Sequence, residues 1–256
     1  MTQDVAVDPR GRLARWMSGT GQTLATLGVV LVMFVVWEMW WTDFGARHHQ
    51  DQVVTALGWE DIEPHAPTAT PAVTAAPAPE LERHTDAPPV LEEPAIATTF
   101  GVLYVPRWGA DYASPISEGT SRSKVLNTLG IGHYFHTAMP GDAGNFALAA
   151  HRTTYGKPFS RVDEFVVGDA LVVRTEETWY VYRVTSTEIV APDYLAAIAP
   201  VPGHLGAAPS GRYITFTTCH PRYSAAQRFV VHGILDYWAP ANGAFPSELL
   251  ATEGGK

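Results

Sequence analysis

Residues 212–238 read RYITFTTCHPRYSAAQRFVVHGILDYW. Two runs rich in β-branched and aromatic residues flank an eight-residue connection, His220 to Gln227, and such residues favour half-buried strands over helix. If the runs pair as an antiparallel hairpin, the end of the first, Cys219, and the start of the second, Arg228, lie on one rim. Segments of the same kind recur at Phe100–Val105, Asn145–Ala150, Ala170–Arg174 and Thr178–Val190. Thr175–Glu177 reads as a hairpin turn, and Gly168-Asp169 punctuates the approach to it. Helical candidates are confined to Pro192–Ala199 and a short piece near Lys124–Leu129. Many short strands in so short a stretch predict an all-β domain, and closure into a barrel would remove exposed sheet edges.

Upstream of this domain the composition changes twice. Leu24 to Trp41 (LATLGVVLVMFVVWEMWW) is an apolar run of 18 residues broken only by Glu38. At a rise of about 1.5 Å per residue it covers about 27 Å, enough for one short transmembrane helix. Arg10, Arg12 and Arg15 precede it, and Trp37, Trp40 and Trp41 sit at its far end. The basic side stays in the cytoplasm, so residues after the span are expected outside. Eight of the twenty prolines fall between Pro64 and Pro94. That Ala/Pro-rich stretch lacks apolar periodicity and is expected to be an extended, disordered linker reaching ~90 Å at most. The chain therefore divides into a cytoplasmic N-terminus (1–23), a span (24–41), a linker (42–97), a folded domain (98–240) and a tail (241–256).

A net charge of −9 disfavours nucleic acid as a partner, because phosphate neutralisation needs a surplus of Lys and Arg. Cys219 is the only cysteine, so no intrachain disulfide and no Cys-rich zinc site can form. A lone thiol outside the cell is either an inert buried group or a reactive one.

A cysteine nucleophile needs a proton carrier, since the departing amine must be protonated. Of ten histidines, His151 closes the apolar run NFALAAH and opens the polar segment RTTYGKPF, a junction of the kind where reactive side chains concentrate. Arg228 heads an otherwise apolar strand. It is either an exposed strand-end cation or a guanidinium placed to steady an oxyanion. His232 lies within a strand and reads as packing. His220 directly follows the cysteine and reads as a supporting partner. His133 and His136 (HYFH) have a metal-compatible spacing but no obvious third ligand, so no metal or other cofactor is expected.

These residues together resemble the sortase family. TFTTC at Thr215–Cys219 is similar to the signature Thr-Leu-x-Thr-Cys with Phe216 in the leucine slot, Arg228 stands nine residues after the cysteine, and LAAHRTTYGKPF resembles the segment around the family's histidine. With the apolar anchor and Ala/Pro-rich linker, the pattern is most similar to class E sortases of actinobacteria. Class C pilin polymerases are the rival, although the Asp-Pro-aromatic lid motif is not found.

The resemblance implies a barrel of about eight strands with short helices. It also implies a membrane-anchored cysteine transpeptidase with Cys219 as nucleophile, His151 as acid/base and Arg228 beside the reacting carbonyl. Its partners would be secreted proteins bearing a Leu-Ala-x-Thr-Gly or Leu-Pro-x-Thr-Gly signal, and a peptidoglycan-precursor amine of the lipid II type. Thr218, Tyr134, Tyr155 and His220 are the expected substrate contacts. A plain cysteine hydrolase and a non-catalytic tethered binding module are the competing functions.

Overall fold

The computed structural model describes the backbone of residues 9–59 and 81–250, and in the first stretch the side chains of residues 21–37 and 43–59. A long helix, α1, runs Pro9–Ala56. Its part up to Thr42 forms one compact unit, and the chain from Asp43 onward forms another. The described apolar side chains from Leu24 to Trp37 are exposed. Among the described residues no helix is long and apolar enough to cross a membrane. The side chains of residues 38–41, the end of the expected span, lie outside the described residues.

Among the described residues the second unit is built on eight strands. They are β1 (Thr99–Tyr104), β2 (Ala113–Glu118), β3 (Ile131–His133), β4 (Gly144–Ala149), β5 (Ala170–Arg174), β6 (Thr178–Val190), β7 (Arg212–His220) and β8 (Gln227–Pro240). They close into a barrel in the order β1-β2-β3-β4-β7-β8-β6-β5, so the expected all-β barrel is present. The strands β2 and β3, which the sequence reading did not mark, pair with each other in parallel. The expected helices shrink to single turns at Arg122–Leu126 and Leu195–Ile198. A last short helix, α2, spans Ser247–Leu250.

Alternation along the strands sorts side chains to two faces. Phe146 and Leu148 of β4, Ile214 and Phe216 of β7 and Val231 of β8 point into the barrel, where they join Leu103, Ile116, Leu171 and Tyr182 in one core. A second cluster lies on the outer face, where Val102, Tyr104, Val172, Trp179 and Tyr237 meet Val54 of α1 and Leu249 of α2.

The segment read as an extended linker (42–97) is helical through Ala56. At its other end it straps onto the barrel: His84 exchanges backbone hydrogen bonds with Trp238 at 2.8 and 2.9 Å, and the Tyr180 hydroxyl donates to Pro89 O at 3.1 Å. Residues 60–80 lie outside the described residues.

Phe216, the departure from the leucine of the family signature, stacks on Phe159 at 4.7 Å between centroids and lies 6.2 Å from Phe165. It is 1% exposed, so its ring supports the strand from beneath. Phe216→Ala should destabilise the barrel by about 3–5 kcal/mol, and Phe216→Leu by roughly 1–2 kcal/mol through loss of the aromatic pairs. Denaturant unfolding of the two variants measures the difference.

Candidate active site

The site grows from the alternation of three neighbouring strands. β7 pairs antiparallel with β8 so that Cys219 stands directly across from Arg228, and Thr217 across from Val230. β7 also pairs in parallel with β4, Ala149 opposite Thr217. Since Phe216 and Leu148 point inward, Thr217 and Cys219 on β7, Ala147 and Ala149 on β4, and Arg228 on β8 all face outward. His151, two residues past Ala149, continues the same face at the end of β4. The registers thus set Cys219 across from Arg228 and put His151 just beyond the end of β4, at the same end of neighbouring strands.

Each group is held locally. Cys219 is half-buried. His151 is fixed by a 2.8 Å hydrogen bond from Nε2 to Asn127 Oδ1, which assigns the ring proton to Nε2 and leaves Nδ1 with a free lone pair. Its ring lies 5.1 Å from that of Tyr155. Burial, with a contribution from the Arg122 cation, holds the imidazole below its ordinary pKa of 6.5, so the ring rests neutral at pH 7. The Arg228 guanidinium donates through Nη1 to Ala225 O and Gln227 O at 3.1 and 2.9 Å, which ties it to the β7–β8 connection.

The expected substrate contacts divide. The Tyr134 hydroxyl meets Thr217 Oγ1 at 2.9 Å, so Tyr134 lies on the reactive face. Tyr155 lies beside His151. Thr218, by alternation, points inward, and its hydroxyl donates to Ala150 O at 2.7 Å. It therefore ties β7 to β4 just before His151, and Thr217 is the threonine on the outer face. His220 is engaged by Arg152, with Nη1 to Nδ1 at 3.0 Å.

Arg152, Asn127 and Thr217 were not singled out from the sequence. Arg152 is 4% exposed. Its Nη1 also reaches Cys219 O at 3.5 Å, Nη2 pairs with Asp163 at 3.2 Å, and the guanidinium lies 5.5 Å over the Phe229 ring. The signal was its place directly after His151, but its partners come from β7 and from a loop that spacing does not reveal. His133 is fully buried, with Nδ1 at 2.6 Å from Glu118 Oε2 and Nε2 at 2.8 Å from Thr137 Oγ1. His136 instead is exposed and pairs with Glu93. Donor atoms of Glu93, Glu118 and His133 lie within 4.8 Å of one another, yet both imidazole nitrogens already have protein partners.

An eight-stranded barrel with a cysteine set across from an arginine suits thiol acyl-transfer chemistry. Residues 103–236 match the sortase domain, and the chain belongs to the sortase family. Sortase SrtE2 of Streptomyces coelicolor is 31% identical over 88% of this chain and 84% of its own length. Sortase SrtE1 of the same organism is 30% identical over 90% of this chain, which spans 60% of that relative's length. Among solved structures, the SrtA sortase from Actinomyces oris superposes with a TM-score of 0.63 and 41% identity over 68% of this chain and all of that one. Sortase E1 from S. coelicolor with a tripeptide in the active site superposes with a TM-score of 0.55 and 35% identity, covering 60% of this chain and 97% of the other. The chain is thus class E-like within a family of cysteine transpeptidases.

Because the folded-state pKa of His151 is depressed, its neutral form contributes stability that is present above pH 6.5 and lost as pH falls through the folded value. An NMR titration of the His151 ring should give a midpoint below 6.5, and Arg122→Gln should move it upward.

Proposed function

We propose that this chain cleaves a C-terminal sorting signal between Thr and Gly through a Cys219 thioester and passes the acyl group to a wall-precursor amine. The observation that carries the reading is the register of β4, β7 and β8, which sets Cys219 across from Arg228 and places the end of β4, just before His151, beside Thr217. The tripeptide in the active site of the similar sortase E1 supports a peptide substrate.

In this mechanism neutral His151 takes the thiol proton as sulfur attacks the Thr carbonyl, and Arg228 steadies the oxyanion. Collapse of the tetrahedral adduct breaks the C–N bond, and the imidazolium gives its proton to the departing glycine amine. An incoming amine then attacks the thioester while His151 accepts its proton, and the second adduct releases sulfur. Two acyl transfers conserve the energy of one peptide bond, and no redox partner is needed. Tyr134 and Thr217 flank the path of the peptide along the outer face.

The chain is further assigned a single span at Leu24–Trp41 with the barrel outside the cell. Support comes from the exposed apolar side chains Leu24 to Trp37 and the arginines that precede them. The acceptor is then a lipid-linked peptidoglycan precursor at the same membrane, and the signal is Leu-Ala-x-Thr-Gly or Leu-Pro-x-Thr-Gly.

A fluorogenic signal peptide tests the chemistry. Cys219→Ala should abolish cleavage with the fold intact, and Arg228→Ala should lower kcat/KM by about 100-fold or more. Adding an amine should divert the thioester to ligated product. Cleavage without ligation under any amine would mean hydrolysis instead, and retained cleavage in Cys219→Ala would remove the thiol from the mechanism.

A further inference from the structure

The loop after β4 carries three consecutive residues with left-handed backbone: Tyr155 (φ 52°), Gly156 (φ 80°) and Lys157 (φ 43°). Two of them are not glycine, and such a run persists only where its surroundings over-determine it. Those surroundings come largely from α1. Asp43 Oδ1 accepts from Gly156 N at 3.0 Å, and Asp43 Oδ2 pairs with Lys157 Nζ at 2.5 Å. Arg47 Nε donates to Gly156 O at 3.4 Å, and Gln50 Nε2 donates to Tyr155 O at 3.1 Å.

Gln50 is 6% exposed and is wedged between two glycines. A Cβ on Gly156 would stand 2.5 Å from Gln50 Oε1, and one on Gly130 would stand 3.2 Å from Gln50 Cδ. Both glycines lie in segments that hold the imidazole. Gly156 follows Tyr155, whose ring faces His151. Gly130 closes the turn that bears Asn127, the partner of His151 Nε2. One polar face of the helix therefore touches both supports of the same ring.

We propose that Asp43, Arg47 and Gln50 are positioning residues for His151, so that the helical segment just after the apolar run is part of the apparatus that sets the imidazole against the thiol. This rests on the transpeptidase reading above and deepens it. The segment that leads the chain toward its anchor also fixes the proton carrier.

The test uses the full chain with the double substitution Asp43→Ala, Gln50→Ala, and separately Asp43→Asn, which keeps an acceptor for Gly156 N. With a Leu-Ala-x-Thr-Gly peptide, the double variant should lose kcat by about tenfold with KM within about twofold, as expected for misplaced proton transfer. Asp43→Asn should stay within about threefold of wild type. Iodoacetamide should alkylate Cys219 more slowly in the double variant, because the base that takes the thiol proton is displaced, and at the wild-type rate in Asp43→Asn. Amide exchange should rise across 152–160 and stay unchanged in β7 and β8.

An unchanged kcat in the double variant despite faster loop exchange would overturn the proposal. So would exchange that rises equally in β7 and β8, since the helix would then be only a structural brace. If the wild-type chain turns over no peptide, the transpeptidase reading falls by itself. The exchange arm then still decides whether the helix holds the loop.

Discussion

The register between β4 and β7 is the constraint from which the reactive face follows. Ala149 lies opposite Thr217 in a parallel pair, and Cys219 opposite Arg228 in the antiparallel pair beside it. A slip of one residue in either ladder would turn a whole row of side chains to the other face. Thr217 and Cys219 would then point into the core in place of Ile214 and Phe216, which would be turned out toward solvent. Phe146, Leu148, Ile214 and Phe216, each exposed by 1% or less, therefore do more than stabilise. They forbid the slipped pairings. Polar ties at the strand ends add to this: Ala150 N donates to Thr217 O at 3.3 Å and Thr218 Oγ1 returns a bond to Ala150 O.

Strands β1 and β5 to β8 were legible because each carries β-branched and aromatic residues, and β4 because Asn145–Ala150 is a short apolar run; β5 and β6 match their expected bounds, as does the turn between them. β2 and β3 were not. ASPISE contains Pro115 and two serines, and IGH is three residues long, so neither has a local signal. They are strands because β1 and β4 offer ladders to them, and because the buried Glu118–His133 contact crosses their parallel pairing. The sequence motif pointed to Cys219, His151 and Arg228, but it could not tell Thr217 from Thr218, since that distinction is one of alternation relative to the core. Asn127 and Gln50 were illegible for a different reason. Each meets the site from a segment remote in sequence, and nothing in its immediate neighbours marks it.

The strap and the end of α1 show why composition misleads at 42–59 and 81–97, the described parts of the expected linker. Proline and alanine content predicts extension where a chain has nothing to pack against. Here Val54 and Trp59 find the outer face of the barrel, His84 stacks on Trp238 at 4.4 Å, and Glu93 accepts from His136 N at 2.8 Å. The last contact steadies the turn that presents Tyr134 to Thr217. Polar and apolar anchors spaced along a proline-rich chain can thus offset its ordering cost, and proline lowers that cost by restricting the unfolded ensemble.

The connection after His151 and the connection after Cys219 are also joined to each other. Arg152 reaches Cys219 O and His220 from one side and Asp163 from the other. Arg222, in the second connection, donates to Ser160 O at 2.6 Å and to Asp163 at 3.2 Å. Burial pushes the Asp163 carboxyl upward, but its own backbone amide together with Arg152 and Arg222 outweighs this and holds it below its ordinary range. The carboxylate is therefore charged whenever the enzyme works, and it sits between two guanidiniums on different loops. With Arg152 buried, its charge needs that partner, because an unpaired cation there would face the full desolvation penalty. Loosening either loop exposes or strands a charge, so the loops that follow His151 and Cys219 are energetically coupled. The bridge thus links the segment that follows His151 to the one that follows Cys219, beyond the ends of β4 and β7.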